Sequence, residues 1–108
     1  MASKLPEIVT NYYAAEASGD YTALAQCFAE TGWVRDEGRT HSGRAAIAQW
    51  MAAAKEKYSH QTEPTSVETR NGKVVVSARV TGQFPGSPIT LDQVFELAGG
   101  QILSLEIG

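Results

Sequence analysis

The chain has 108 residues, 43% of them apolar, and a formal net charge of −3. That is enough chain for a single domain, 1–108, that buries its own core at an ordinary apolar content. So mild a negative charge excludes the basic footprint of a nucleic-acid binder and gives no cationic face to a membrane.

The elements follow in chain order. Leu5, Ile8, Val9, Tyr12 and then Ala15 or Glu16 keep the rhythm of an amphipathic helix, with Pro6 in its first turn, where a missing N–H costs nothing. Gly19 ends this helix, and Asp20 is placed to cap the next by accepting a backbone N–H. Tyr21, Leu24, Ala25 and Phe28 form the apolar stripe of that short second helix, so the pair reads as a helical hairpin. Cys27 is the only cysteine, which excludes an internal disulfide. Between Leu24 and Phe28 it reads as a small buried hydrophobe, with no cationic neighbour to activate it.

Trp33 to Arg35 is β-prone, Gly38 stops it, and Arg39-Thr40-His41 reads as a short returning strand. Ser42-Gly43 then starts the longest helix, Arg44 to Tyr58, striped by Ile47, Trp50, Met51, Ala54 and Tyr58. The remainder is strand and turn. Thr62 to Thr69 is one strand, with Pro64 marking an edge or a bulge. Asn71-Gly72 is a two-residue hairpin signal, and Val74, Val76, Ala78 and Val80 alternate along the next strand. Pro85-Gly86-Ser87-Pro88 connects to Ile89–Leu97, Gly99-Gly100 turns the chain, and Gln101 to Ile107 closes it. Helices at one end and a strand meander at the other define an α+β fold.

The amino-terminus lacks the apolar stretch of a signal peptide and no run reaches membrane-spanning length, so a cytoplasmic protein is expected. His41 and His60 have no Cys or Glu at ligand spacing, so no metal site is expected. Phosphate loops, dinucleotide glycine patterns and nucleophile elbows are absent from the sequence.

Tyr12-Tyr13-Ala14-Ala15, Ser18-Gly19-Asp20-Tyr21, Leu24 through Phe28, Val34-Arg35-Asp36 and Ser42-Gly43-Arg44-Ala45-Ala46-Ile47 together resemble the nuclear transport factor 2-like superfamily. The resemblance covers almost the whole chain and points to the branch of SnoaL-like polyketide cyclases and ketosteroid isomerases. It implies a cone-shaped α+β barrel, three N-terminal helices on a curved antiparallel sheet, with a pocket between them and a homodimer formed through the sheet's outer face. The same cone serves enzymes, carriers and adaptors, so the fold leaves the function open.

Strand alternation puts Val34 and Asp36 on one face, so both are candidates for the pocket wall. A carboxyl in an apolar cup ionises less readily than its usual value of about 3.9. That suits a base working beside a carbonyl, and the resemblance puts Asp36 at the isomerase general base. The alternative is a turn cap, or a pair with Arg35, Arg39 or Arg44. Tyr12 falls at the isomerase oxyanion donor, although an aromatic on a helix stripe is more often core. Leu91, Phe95 and Leu97 share one parity, which turns Gln93 inward and Asp92 outward. An amide then stands where the isomerase carries a protonated acid, and Met51 replaces a supporting tyrosine. Trp50, Met51 and Phe84 are candidate walls for a flat apolar ligand. His41 is a candidate partner for Asp36 across the turn, or an exposed loop histidine.

These residues imply a cofactor-independent protein that binds a small apolar carbonyl compound and moves a proton alpha to the carbonyl. A carrier or sensor with the same pocket, and an interaction module with a vestigial one, are the alternatives.

Overall fold

The computed structural model describes residues 5–108; the amino-terminal residues 1–4, on which the absence of a signal peptide was read, lie outside it. The elements run α1 (Glu7–Ser18), α2 (Tyr21–Gln26), β1 (Phe28–Asp36), β2 (Arg39–Ser42), α3 (Arg44–Tyr58), β3 (Gln61–Arg70), β4 (Lys73–Thr81), β5 (Ile89–Ala98) and β6 (Gln101–Ile107). The local signals act as expected. Gly19 leaves α1 in the left-handed conformation (φ 76°), and Asp20 Oδ1 accepts from the Ala23 N–H at 3.0 Å to cap α2. Pro6 is the residue before α1, and its carbonyl accepts from the Val9 and Thr10 N–H groups.

Phe28 is a correction. It opens β1 instead of extending the stripe of α2, and β1 is a nine-residue strand rather than the short Trp33–Arg35 run. The reason is tertiary. Phe28 pairs with Ile102 of β6 and is fully buried there.

The sheet order is β2-β1-β6-β5-β4-β3. From β3 to β6 the strands form an antiparallel meander, and β1 joins β6 in parallel. Asn71 (φ 54°) and Gly72 (φ 77°) make the β3–β4 turn, both left-handed as a two-residue hairpin requires. Pro64 sits on an edge strand and next to a register shift, so both readings of it apply. The curved sheet has two free edges, β2 and β3, so the expected barrel is not closed. Three helices pack on part of its inner face, and Val9, Leu24, Phe28, Val34, Ile47, Phe95 and Leu105 form the core between the layers. No described helix is long and apolar enough to cross a membrane.

Gly82 fixes how α3 ends against the sheet. A Cβ there would lie 2.8 Å from the Tyr58 carbonyl oxygen and 2.9 Å from the His60 Cα. The neighbouring Gln83 N–H donates to that same Tyr58 carbonyl at 2.7 Å. These are backbone contacts with little freedom to retreat, so Gly82→Ala is expected to destabilise the fold by roughly 1–3 kcal/mol. Urea denaturation measures it, and a loss below about 0.5 kcal/mol would show that the approach is not tight.

Candidate functional site

The helices leave one end of the sheet uncovered. A cavity of about 550 Å³ opens there, walled by α1, the end of β1, α3 and the inner faces of β4, β5 and β6. That volume suits a small organic ligand. Trp50, Met51, Ala54, Phe84, Val80 and Leu91 supply most of its apolar wall.

Asp36 lines this cavity and is half-buried. It reaches the wall because β1 ends there in a tight Glu37-Gly38 turn (φ 54° and 75°). Its Oδ2 accepts a hydrogen bond from Trp50 Nε1 at 3.1 Å. Among the described residues it makes no ion pair. Arg44, one candidate partner, instead donates from Nε to the Phe28 carbonyl at 3.1 Å. Burial therefore dominates and raises the Asp36 carboxyl above its ordinary range. The Trp50 hydrogen bond, with His41 and His60, partly offsets that rise, while Glu37 adds to it.

Tyr12 is both core and wall. It is 1% exposed, and its ring meets Tyr13, Phe28 and Phe95 edge-on at centroid distances of 5.2, 6.0 and 5.5 Å. Such contacts contribute roughly 0.5–1.5 kcal/mol each beyond burial, so the ring is held firmly. Its phenol donates to no described protein group. Burial first, then Glu16, pushes its ionisation well above the usual tyrosine range, so it stays a neutral donor. Tyr13, not singled out in the sequence, donates from its hydroxyl to Gln93 Oε1 at 2.5 Å. Gln93 is buried and lines the cavity. With its oxygen engaged, its amide N–H₂ is the end left for a ligand.

The other expected wall residues divide. Trp50, Met51 and Phe84 line the cavity. Val34 does not: it is fully buried in the core, one pleat repeat deeper than Asp36 and covered by the helices. His41 lies off the wall as well. Its register partner is Val34, and its ring stands 6.1 Å from that of Trp50, behind the residue that binds Asp36.

Sequence reasoning missed one cluster. Glu16 is 5% exposed and lines the cavity from α1, one turn beyond Tyr12. Its Oε2 receives Thr62 Oγ1 at 2.6 Å, Lys55 Nζ at 3.1 Å and lies 3.5 Å from His60 Nε2. Burial raises the Glu16 carboxyl, but the hydrogen bonds from His60 and Thr62 and the Lys55 charge outweigh it and hold the group below the usual range. The signal lay in the helix stripe, where Glu16 follows Tyr12 by four residues and occupies an apolar position. His60 Nδ1 is buried without a partner, a state that costs roughly 1–3 kcal/mol until filled. Among the described residues no three His, Cys, Asp or Glu side chains converge as a metal site requires.

Three helices packed on a curved, unclosed six-stranded sheet are the architecture of the nuclear transport factor 2-like and cystatin-like folds. The SnoaL-like domain pattern matches residues 9–105, and the chain belongs to that family. A candidate polyketide cyclase from Sinorhizobium meliloti (protein SMa1630) is 42% identical over 96% of this chain and 95% of that one, with a TM-score of 0.92. A protein of ketosteroid isomerase-like fold from Catenulispora acidiphila, solved in complex with trimethylamine, is 26% identical (97% and 86% covered, TM-score 0.83). The epoxide hydrolase/cyclase-like enzyme SalBIII, with a role in pyran ring formation in the polyether salinomycin, shares the fold at 23% identity (94% and 86% covered, TM-score 0.78). No curated protein matches the chain by sequence.

The depressed Glu16 carboxyl sets a pH dependence. Its folded value lies below its unfolded value of about 4.3, so its stabilisation is fully present above that pH and is lost as pH falls through the folded value. Glu16→Gln is expected to cost about 3 kcal/mol at pH 7, the scale of breaking a buried pair. The gap to wild type should narrow below about pH 4.3. Denaturant titrations of both proteins across that range measure it; a pH-independent gap would show that Glu16 acts through packing alone.

Proposed function

We propose that this protein binds a small apolar, carbonyl-bearing molecule and transfers a proton alpha to the carbonyl, as an isomerase or cyclase that needs no cofactor. The observation that carries this reading is the half-buried Asp36 carboxyl, without an ion pair among the described residues, on the wall of an apolar cavity of about 550 Å³. Asp36 is the proton acceptor. Tyr12 or the Gln93 amide receives the carbonyl oxygen as negative charge develops on it. Trp50, Met51 and Phe84 hold a flat ring system against the base. The likeness to a candidate polyketide cyclase at 42% identity supports the cyclase side of the proposal. An open cavity of this size also supports ligand binding over an interaction module with a vestigial pocket. A carrier or sensor is the second reading. It is favoured by Gln93, a neutral amide that donates more weakly than the acid of the isomerase pattern.

Turnover of apolar enones separates the two. With Asp36 as base, kcat/KM rises with pH along a limb set by Asp36, displaced upward from about 3.9. Asp36→Asn should lower kcat by about 100-fold or more while binding persists, because the asparagine carbonyl still accepts from Trp50. Tight binding without turnover in wild type and variant alike would establish the carrier.

The sheet face turned away from the helices carries Trp33, Val75 and Val94 among Arg35, Arg79, Glu96 and Glu106. We assign to it the homodimer that the family resemblance implies. Equilibrium sedimentation should give twice the 11.6 kDa chain mass, and a single 11.6 kDa species at micromolar concentration would remove the dimer.

A further inference from the structure

Gln93 is the one side-chain amide on the cavity wall among the described residues, and its two ends bind opposite things. The oxygen accepts and the N–H₂ donates, yet the two are nearly equal in size, so packing cannot decide which of them faces the cavity. The strand does not decide it either. Pairing with Val76 and Ile107 fixes the Gln93 backbone, but the last side-chain torsion stays broad and two-fold. Only a hydrogen bond can set the sense of the amide.

Tyr13 makes that bond. Its hydroxyl donates to Gln93 Oε1 at 2.5 Å, from α1 to β5. Tyr13 is not itself on the cavity wall; it borders a separate hollow beside the α3–β3 connection. Its ring is held by edge-on contacts with Tyr12 at 5.2 Å and Phe95 at 6.0 Å. Burial, then Glu16, pushes its ionisation well above the usual tyrosine range, so the phenol keeps its hydrogen. Turning the amide over would face Nε2 to the phenol oxygen and leave that hydrogen without an acceptor among the described residues. At the other end, Nε2 has no partner among the described residues. It is not sealed in, since the one sealed side-chain nitrogen or oxygen lacking a partner is His60 Nδ1. Nε2 is therefore open to the cavity that Gln93 lines.

We propose that Tyr13 is a positioning residue: it holds the Gln93 oxygen away from the cavity and so fixes the Gln93 N–H₂ as a donor on the wall, which makes this point of the cavity selective for an acceptor atom. The inference rests on the proposed carbonyl-binding role of the cavity and adds how the polarity of its wall is set. Tyr13 touches no ligand and acts only through Gln93.

Acetylnaphthalene and isopropenylnaphthalene, substituted at the same ring carbon, test this. They share one shape and differ in carrying a carbonyl oxygen or a methylene at the same place. Titrated by fluorescence, wild type is expected to prefer the ketone by about tenfold. Tyr13→Phe keeps the ring and removes only the hydroxyl, and the preference should fall to about twofold. In a Gln93→Leu background the same change should leave the ratio where it is. A full preference that survives Tyr13→Phe would overturn the positioning role while leaving the carbonyl reading intact, with Tyr12 as the donor. A ratio that falls as much in the Gln93→Leu background would also overturn it, because Tyr13 would then act through packing alone. A second measurement needs no ligand: the carbon-13 resonance of Gln93 Cδ should move upfield in Tyr13→Phe as the carbonyl oxygen loses its donor. A shift of the side-chain nitrogen alone would show that Tyr13 accepts from the amide, which reverses the proposal. If the two probes bind wild type equally, or not at all, the carbonyl-binding role falls instead, and the Cδ shift alone decides what Tyr13 does.

Discussion

Three short helices cannot cover the inner face of a six-stranded sheet. At about 4.8 Å between strands the sheet is roughly 24 Å wide, and strands of nine or ten residues run to about 30 Å. The two long helices, of 12 and 15 residues, are only about 18 and 22 Å long. They seal the half of the sheet where Val9, Phe28, Val34, Ile47 and Leu105 meet, and the other half stays open. The cavity is therefore a consequence of element lengths and sheet curvature, and every candidate site residue takes its properties from its distance to that boundary.

Val34 and Asp36 show how steep the boundary is. They share a strand face, yet the valine is sealed in the core and the aspartate stands on the cavity wall. A single pleat repeat, about 7 Å, separates a packing position from a chemical one. Trp50 completes the transition. Its indole body belongs to the apolar wall, and its N–H meets the carboxylate that the end of β1 brings there. The aromatic cluster of Tyr12, Tyr13, Phe28 and Phe95 works from the other side, locking one phenol toward the cavity and the other onto Gln93.

Much of this was legible in the sequence because it is local. The stripe from Ile47 to Tyr58, the Gly19 and Asp20 caps, the Asn71-Gly72 turn and the parity that turns Gln93 inward all depend on neighbours a few residues away. Phe28 was misassigned because its strand partner, Ile102, lies far along the chain, and a helix stripe looks complete without it. The parallel pairing of β1 with β6 has no local signal at all. Glu16 was visible as a charge on an apolar stripe, but its meaning came only when α3 and β3 supplied Lys55, His60 and Thr62. His60 carries no metal-ligand spacing in the sequence, and its contact with Glu16, 44 residues away, has no local signal.

The two cavity carboxyls carry the final argument. Asp36 and Glu16 share one apolar hollow and similar intrinsic acidity, yet they are displaced in opposite directions. The difference is neither burial nor residue type, since the more buried of the two is the one held ionised. It is the count of donors. Glu16 receives a hydroxyl and an ammonium and lies beside an imidazole, which together outweigh its desolvation, whereas Asp36 receives one indole N–H and no cation. A carboxylate so well satisfied gains nothing by taking a proton and is suited to orienting its neighbours. One left nearly bare gains by protonation, and a base must gain by protonation to remove a proton from carbon. The donor count therefore fits Asp36 to the proposed proton-accepting role and Glu16 to orienting its neighbours.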